Sequence, residues 1–383
     1  MTEPSRRTIL TAVFSSSLGV GVIFGFQPPL IALTLARTGS SSFAIGCVIS
    51  IGLVAVILFG PAYPRLISRL GLRRCIVLGI GSAALILLLM PLRPSVPYWL
   101  LLQSMSGSAL GLTWIASEIW MNNVSGANSR GTVMGIYGTV ISLGIISGPV
   151  LLQFIGTRGA WPFASESLVL LISLLPLLLL RQVESEPQAF APWGSIRQGL
   201  GAAPIVWGAA LVAGLVESAD LTLLPLFGVR EGLTERAALT LVTAFLAGNV
   251  VLQVPVGILA DRHGRRRVLG MCALLSGVGP LLLRHGLGEP MFLWPMLFMW
   301  GGTLYAFYSQ GVALMGEEFG AAQLPGTNTL FVMVYCLGGV IGPSVGGLAM
   351  DHWPHQGLQV FVSAAALTLF AGLLIGRRTT GWT

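Results

Sequence analysis

The sequence predicts an all-α membrane protein, with twelve transmembrane helices in two pseudo-symmetric six-helix halves. Three observations carry that expectation. Of the 383 residues, 54% are hydrophobic and only 9% are charged, whereas a soluble domain carries about 25% charged residues. Apolar runs of spanning length, about 20 residues each, succeed one another along the whole chain. Landmarks of the first six runs recur in the second six at a nearly constant offset.

The predicted helices of the first half cover 9–35, 42–62, 75–91, 97–121, 131–156 and 163–180. Those of the second half cover 204–228, 236–259, 268–284, 289–315, 325–350 and 357–376. The domains expected from this are an N-terminal half over 1–181, a polar linker over 182–203 expected in the cytoplasm, and a C-terminal half over 204–383. The first run follows Arg6 and Arg7, as the apolar core of a secretory signal does. At 27 residues it exceeds the roughly 7–15 residues of such a core, so it is read as the first membrane helix.

All 21 basic residues are Arg, and the net charge is +7. In a soluble chain that balance points to nucleic acid. Here the Arg residues sit in short loops between apolar runs, so no nucleic-acid partner is expected. With the N-terminus in the cytoplasm, fifteen Arg fall on the inner side, among them Arg65, Arg69, Arg73, Arg74, Arg262, Arg265, Arg266 and Arg267. Six fall outside: Arg37, Arg93, Arg158, Arg230, Arg236 and Arg284. This bias obeys the positive-inside rule and places both termini in the cytoplasm, in a cell inner membrane.

The repeat shows in the loops and in the helices. Gly264, Arg266 and Arg267 follow Gly71, Arg73 and Arg74 by 193 positions. Gly338, Gly342 and Pro343 follow Gly144, Gly148 and Pro149 by 194. Two six-helix repeats working about a central site is a transporter architecture.

The sharpest motif runs Gly257-Ile258-Leu259-Ala260-Asp261-Arg262-His263-Gly264-Arg265-Arg266. Asp261 among Arg residues at a helix end is placed for charge-assisted hydrogen bonds that latch one conformation. The plainer reading is a loop that only sets topology. The motif resembles, position for position, the signature loop between the second and third helices of each half in the major facilitator superfamily. The first-half copy departs from it, with Ser68 in place of the acid and Pro64 in place of the first Gly, while Arg69, Gly71 and Arg73 remain. Glu118 is a candidate for the missing acid, paired with Arg69 or Arg73. Glu317 and Glu318 are the matching candidates beside Arg262 and Arg266. Stretches around Ser117–Asn122, Arg130–Tyr137 and Gly248–Pro255 are also similar to a YcaD-like branch of the superfamily, which implies no substrate.

Gly144, Gly148 and Pro149 in helix 5, echoed by Gly338, Gly342 and Pro343 in helix 11, flatten and bend their helices. The helix 5 element resembles the family's Gly-Pro motif of exporters, and it also reads as tight packing. Glu217 lies midway along helix 7, and Asp220 three residues on shares its face. Ionisable groups inside a membrane default to function. Two carboxyls in low dielectric ionise together only at high cost, so the pair is a candidate proton-coupling or substrate site. Gln27, Trp114, Asn249, Gln253, Tyr305, Tyr308 and Tyr335 complete an expected cavity of apolar walls with few polar handles.

Several chemistries are not legible. There is no phosphate-binding loop of an ATP-driven pump and no hydrolase triad, so an enzyme is not expected. Cys47, Cys75, Cys272 and Cys336 have no metal-ligand spacing, and Asp351, His352 and His355 make only a weak metal cluster. Neither a metal nor a cofactor is expected. The resemblance implies a secondary active transporter of a small organic molecule, acting as a monomer in the bilayer. With acids and no Arg in the helix middles, export of a neutral or cationic amphiphile driven by protons is the leading expectation. Proton-coupled import or uniport of a sugar-like or amino-acid-like nutrient is the alternative. A sensor or scaffold that keeps the fold without transport is the second.

Overall fold

The computed structural model of the protein describes residues 6–124, 130–180, 203–319 and 324–379. Most of the predicted linker, 182–202, therefore lies outside the described residues. Among the described residues there is no strand. Among the described residues, twelve long helical segments follow in order. In the first half these are α1 (Arg6–Arg37), α2 (Ser42–Leu70), α3 (Leu72–Leu92), α4 (Val96–Val124), α5 (Arg130–Ile155) and α6 (Trp161–Leu179). In the second half they are α7 (Pro204–Arg230), α8 (Glu235–His263), α9 (Arg265–Gly286), α10 (Pro290–Glu318), α11 (Leu324–His352) and α12 (Gly357–Thr379). Ten of them are long and apolar enough to cross a membrane by length and composition. The other two, α4 and α10, have the length, at 29 residues each. The chain is a multi-pass membrane protein.

Helices are the expected solution in lipid, because each backbone donor must find its acceptor within the segment. The observed helices outrun the apolar runs at the loop ends. The second helix, expected to stop at 62, continues through the polar stretch Tyr63–Leu70. It ends at Gly71, whose φ of +80° only glycine adopts without strain. Gly264 ends α8 in the same way with φ +91°. Both signature loops are thus sharp helix-to-helix turns set by one glycine. Large apolar side chains such as Leu58, Leu179, Met291 and Ile375 stand exposed along these helices. That pattern suits a lipid-facing surface and would be an aggregation hazard in water.

The chain divides into two compact units, Met1–Ser40 with Ile51–Phe190, and Ser41–Ser50 with Ala191–Thr383. In the first unit α1 packs along α5 and α6, and α3 packs along α4 and α6. In the second, α7 packs along α11, α8 along α10, and α9 along α12 and α10. The division departs from a clean cut between the repeats, because Ser41–Ser50, with the first nine residues of α2, belongs to the second unit. Asp351 at the end of α11 accepts hydrogen bonds from the backbone N–H groups of Ser42 and Phe43, both at 2.9 Å. These donors at a helix start have no intrahelical partner, so a carboxylate there is a cap. Further along, Ser50 donates to the carbonyl of Val340 at 2.6 Å.

The repeat extends to individual contacts. A Cβ on Gly144 would run into the backbone of Leu18 and Val22, and one on Gly338 into that of Leu211 and Leu215. Leu211 and Leu215 stand 193 positions after Leu18 and Val22. The predicted small-residue faces of helices 5 and 11 are therefore close-approach seams, each against the first helix of its own unit.

Candidate functional site

The acids of α7 lie in its interior, midway between its ends at Pro204 and Arg230. Tyr335 of α11 donates its hydroxyl hydrogen to Glu217 Oε2 at 2.8 Å. The Tyr335 ring meets Tyr308 of α10 edge-on, with centroids 5.2 Å apart. Tyr308 in turn sits edge-on to Phe331 at 5.3 Å. Asp220, one turn beyond Glu217, is fully buried, and neither of its carboxyl oxygens has a hydrogen-bond partner among the described residues. A buried polar group without a partner costs free energy. Four residues picked out separately along the sequence thus form one cluster of two carboxyls and two phenols. Tyr335 can reach Glu217 because Gly214, one turn earlier on α7, lets the Tyr335 backbone approach closely.

The first unit places its own aromatic and carboxyl together. Trp114 Nε1 donates to Glu118 Oε1 at 2.8 Å, one turn along α4. The Trp114 ring lies edge-on to Phe24 of α1 at 6.3 Å. Trp114 and Tyr308 are repeat partners, 194 positions apart, as are Gln27 and Asp220, 193 apart. Gln27 is buried and directs its amide nitrogen at the sulfur of Met90, 3.9 Å away. Asn249 and Gln253 lie half-buried one turn apart on α8. The side chain of Tyr305 lies outside the described set.

The gate expected around Glu118 takes another form. Arg73 donates to the carbonyls of Leu177 and Leu178, at 3.1 and 2.9 Å, in the last turn of α6, where the Leu180 N–H also donates to Leu177. No ion pair joins Glu118 to Arg73 or Arg69 among the described residues. Arg73 opens α3 and turns to the nearby end of α6, while Glu118 accepts from Trp114 of its own helix.

The second-unit signature loop does form an ionic cluster, with one partner as expected and one different. Arg265 reaches Asp261 at 3.5 Å and Glu317 of α10 at 3.0 Å. Arg266 pairs with Glu318. Glu317 therefore belongs to Arg265, not to Arg262, which is exposed and has no carboxylate in reach among the described residues. Arg265, at the start of α9, faces Asp261 across the Gly264 turn, and it bridges the two acids. Gly257 was expected to allow close helix approach, yet a Cβ there would meet open space.

The residues of the suspected metal cluster go separate ways. Asp351 caps α2, His352 Nδ1 sits 3.0 Å from the Leu348 carbonyl, and His355 Nδ1 sits 2.6 Å from Glu231. Arg230 joins the Asp351 cap, donating to Ser42 Oγ at 2.6 Å and to the Met350 carbonyl at 3.1 Å.

Sequence reasoning missed Glu166 and the α4 and α10 glycines. Glu166 on α6 is fully buried, and neither oxygen has a partner among the described residues. The available signal was an acid inside the apolar run 163–180. A Cβ on Gly107 of α4 would strike the Gly52 backbone of α2, and one on Gly301 of α10 the Phe245 backbone of α8. Gly301 follows Gly107 by 194 positions, and the pattern was present in the repeat.

Comparison with known proteins bears on the same features. The family model described as the Major Facilitator Superfamily matches residues 9–242 and 232–380. The MFS-type transporter YfkF of Bacillus subtilis is 26% identical over 359 residues, covering 92% of this chain and 91% of that protein. An MFS-type transporter of Yersinia enterocolitica is 25% identical, covering 81% of this chain and 80% of its own. Among solved structures, the nucleoside transporter NupG superposes with a TM-score of 0.76 at 14% identity, over 97% of this chain and 98% of that one. A D-xylose-proton symporter does so with a TM-score of 0.75 at 16% identity, over 96% of each. This chain shares its fold with both of these solved structures. With its twelve helical segments, its internal repeat and its signature loop, the chain is a membrane transporter and not an enzyme, and it belongs to the Major Facilitator Superfamily.

Proposed function

We propose that the chain is a proton-coupled secondary transporter that exports a small neutral or cationic amphiphile across a cell inner membrane, as a monomer with both termini in the cytoplasm. The observation that carries the reading is the Glu217–Tyr335 hydrogen bond beside the buried, unpartnered Asp220. The only basic residue in α7 is Arg230, at its end. A proton is then the smallest ligand that neutralises this pair, and its arrival or loss changes the energy of the buried site. The tyrosine rings supply aromatic faces, which attract cations and stack on planar solutes. The Gly144, Gly148 and Pro149 element supports export through its likeness to the exporter motif. In this reading the Asp261–Arg265–Glu317 cluster is the latch that holds one access state.

A second reading is proton-coupled uptake of a hydroxylated nutrient. Carboxyls and phenols also suit hydroxyl groups, and the proteins of similar fold include transporters named for a nucleoside and for D-xylose. The two readings predict opposite flux. The protein reconstituted in vesicles with an imposed proton gradient should move a compound that thermally stabilises it in the direction opposite to the protons. Movement with the protons selects uptake. Flux that ignores the gradient sinks proton coupling.

A further inference from the structure

Glu166 is a buried acid that the proposed transport chemistry does not use, and the first unit gathers other unmet oxygens at its depth. On α6 it shares a buried stripe with Phe163 and Leu170, and on α4 Trp99, Gln103, Ser106 and Leu110 form another, each at helical spacing. The two stripes face one interior, because the rings of Trp99 and Phe163 meet edge-on with centroids 5.7 Å apart. Successive spanning helices alternate in direction, so α4 and α6 run the same way. Gln103 follows Trp99 by four residues and Glu166 follows Phe163 by three, which sets both one turn further along. Contacts of α3 give the same level. Ser167 donates to the Ala84 carbonyl at 2.9 Å. A Cβ on Gly79, five residues before Ala84, would run into the Ala109 carbonyl and Thr113 of α4. Since α3 and α4 are antiparallel, Ala84 then lies opposite 104–108, the stretch that holds Ser106.

In this layer both carboxyl oxygens of Glu166, Oε1 of Gln103 and Oγ of Ser106 are closed to water and have no hydrogen-bond partner among the described residues. Four unmet oxygens at one depth cost stability unless something bonds to them. No side-chain cation is at hand: α4 and α6 contain no basic residue, and those of α1 and α3 stand at the helix ends. Nor does the fold require these groups. The repeat sets Gln359, Leu297 and Trp300 of the second unit in the places of Glu166, Gln103 and Ser106, at offsets of 193, 194 and 194. That unit packs the same layer with no acid and with two apolar side chains, so the carboxylate, amide oxygen and hydroxyl are particular to the first.

We propose that this layer of the first unit binds a sodium ion, held by Glu166, Gln103 Oε1 and Ser106 Oγ. Hard cations take oxygen ligands, and carboxylate, amide carbonyl and hydroxyl are all of that kind. A single carboxylate balances a single positive charge, whereas a divalent ion would leave net charge in a low-dielectric interior. A proton on Glu166 would supply one donor and leave the remaining acceptors unmet. Size selects among the alkali ions. The oxygens do not admit a water molecule; a bare sodium ion is smaller than water, and potassium is close to it. The site lies wholly within the first unit and does not rest on the proton coupling proposed for the α7 acids.

Thermal unfolding of the full-length protein in detergent, in sodium, potassium or choline chloride at equal ionic strength and pH, tests this. Sodium should raise the melting temperature in a saturable way, and potassium and choline should not. Glu166→Gln keeps the shape, removes the charge, and should abolish the rise due to sodium without lowering the melting temperature in choline. Ser106→Ala should raise the half-saturating sodium concentration about tenfold, about 1.4 kcal/mol, and it carries the test should Glu166→Gln not fold. Glu217→Gln should keep the sodium effect, which separates this site from the α7 acids whatever becomes of proton-driven flux. Equal melting in the three salts, equal protection by potassium, or a sodium effect that survives Glu166→Gln and Ser106→Ala unchanged overturns the proposal. So does a sodium effect lost in Glu217→Gln and kept in Glu166→Gln.

Discussion

Tyr335 of α11 donates to Glu217 of α7 across 2.8 Å, and the two helices come that close because Gly214, Gly338 and Gly342 strip side chains from their seam. The proposed proton site and the packing seam are therefore one construction. A change in the seam reaches the acid, and a change in the acid's protonation reaches the seam.

Glu217→Gln keeps the shape of the side chain and removes its titration. Gradient-driven transport should fail, while exchange of labelled for unlabelled substrate survives. Asp220→Asn should do the same or less, and the double variant should be little worse than the stronger single one. Tyr335→Phe removes one donor to a carboxylate, about 1–3 kcal/mol of interaction, and should displace the pH profile of flux without abolishing it. Normal pH dependence in all of these variants would make the cluster structural.

The proposed latch is exposed to water: Asp261 and Glu317 are 71% and 57% exposed. Such pairs contribute little to stability, about 0–1 kcal/mol. Arg265→Gln should therefore shift the melting temperature hardly at all. It should change the balance of access states, seen as altered labelling of single cysteines placed at the two ends of the helices. Asp261→Asn should act in the same direction with a smaller effect, since Arg265 keeps Glu317. Unaltered labelling in both variants would leave the loop with a topological role alone.

Glu118 answers to Trp114. A double-mutant cycle of Trp114→Phe with Glu118→Gln should give a coupling of about 0.5–3 kcal/mol in unfolding or in flux. Reversing Glu118 and Arg69 together should give additive losses, because the two are not paired. Rescue in the charge reversal would show that they meet in another state of the transport cycle.

Gly148 and Gly342 occupy equivalent places in the two repeats. A Cβ at either would overlap backbone, of Gly25 and Phe26 in one case and of Leu215 in the other. Ala at each should destabilise by about 1–3 kcal/mol, the usual cost of overpacking, and Leu should prevent folding. Thermal unfolding in detergent reads the effect. Gly257→Ala, placed in open space, is the control and should be near neutral.

Orientation rests on the Arg bias alone. A phosphatase active only outside the cytoplasm, fused after Thr383, should show no activity. Strong activity would reverse the assignment of both termini.

The sequence by itself determined the all-helical membrane class, the internal repeat in sequence, the signature loops and the acids of α7. Each of these is local. An apolar run of spanning length, a glycine at a helix stop and an offset between two copies require no knowledge of what lies across the bundle. Tertiary structure alone decided the partners. Glu217 was legible as an acid, but only the α7–α11 seam brings Tyr335 to it. Arg73 and Arg265 hold equivalent loops, yet one ends on the carbonyls closing α6 and the other between two carboxylates. Asp351 read as part of a weak metal cluster and caps the first turn of α2 instead. Side-chain reach is a few ångströms, so a partner is chosen by whichever helix end the packing delivers within that distance. The packing in turn follows from where small residues on separate helices meet, which no single run records.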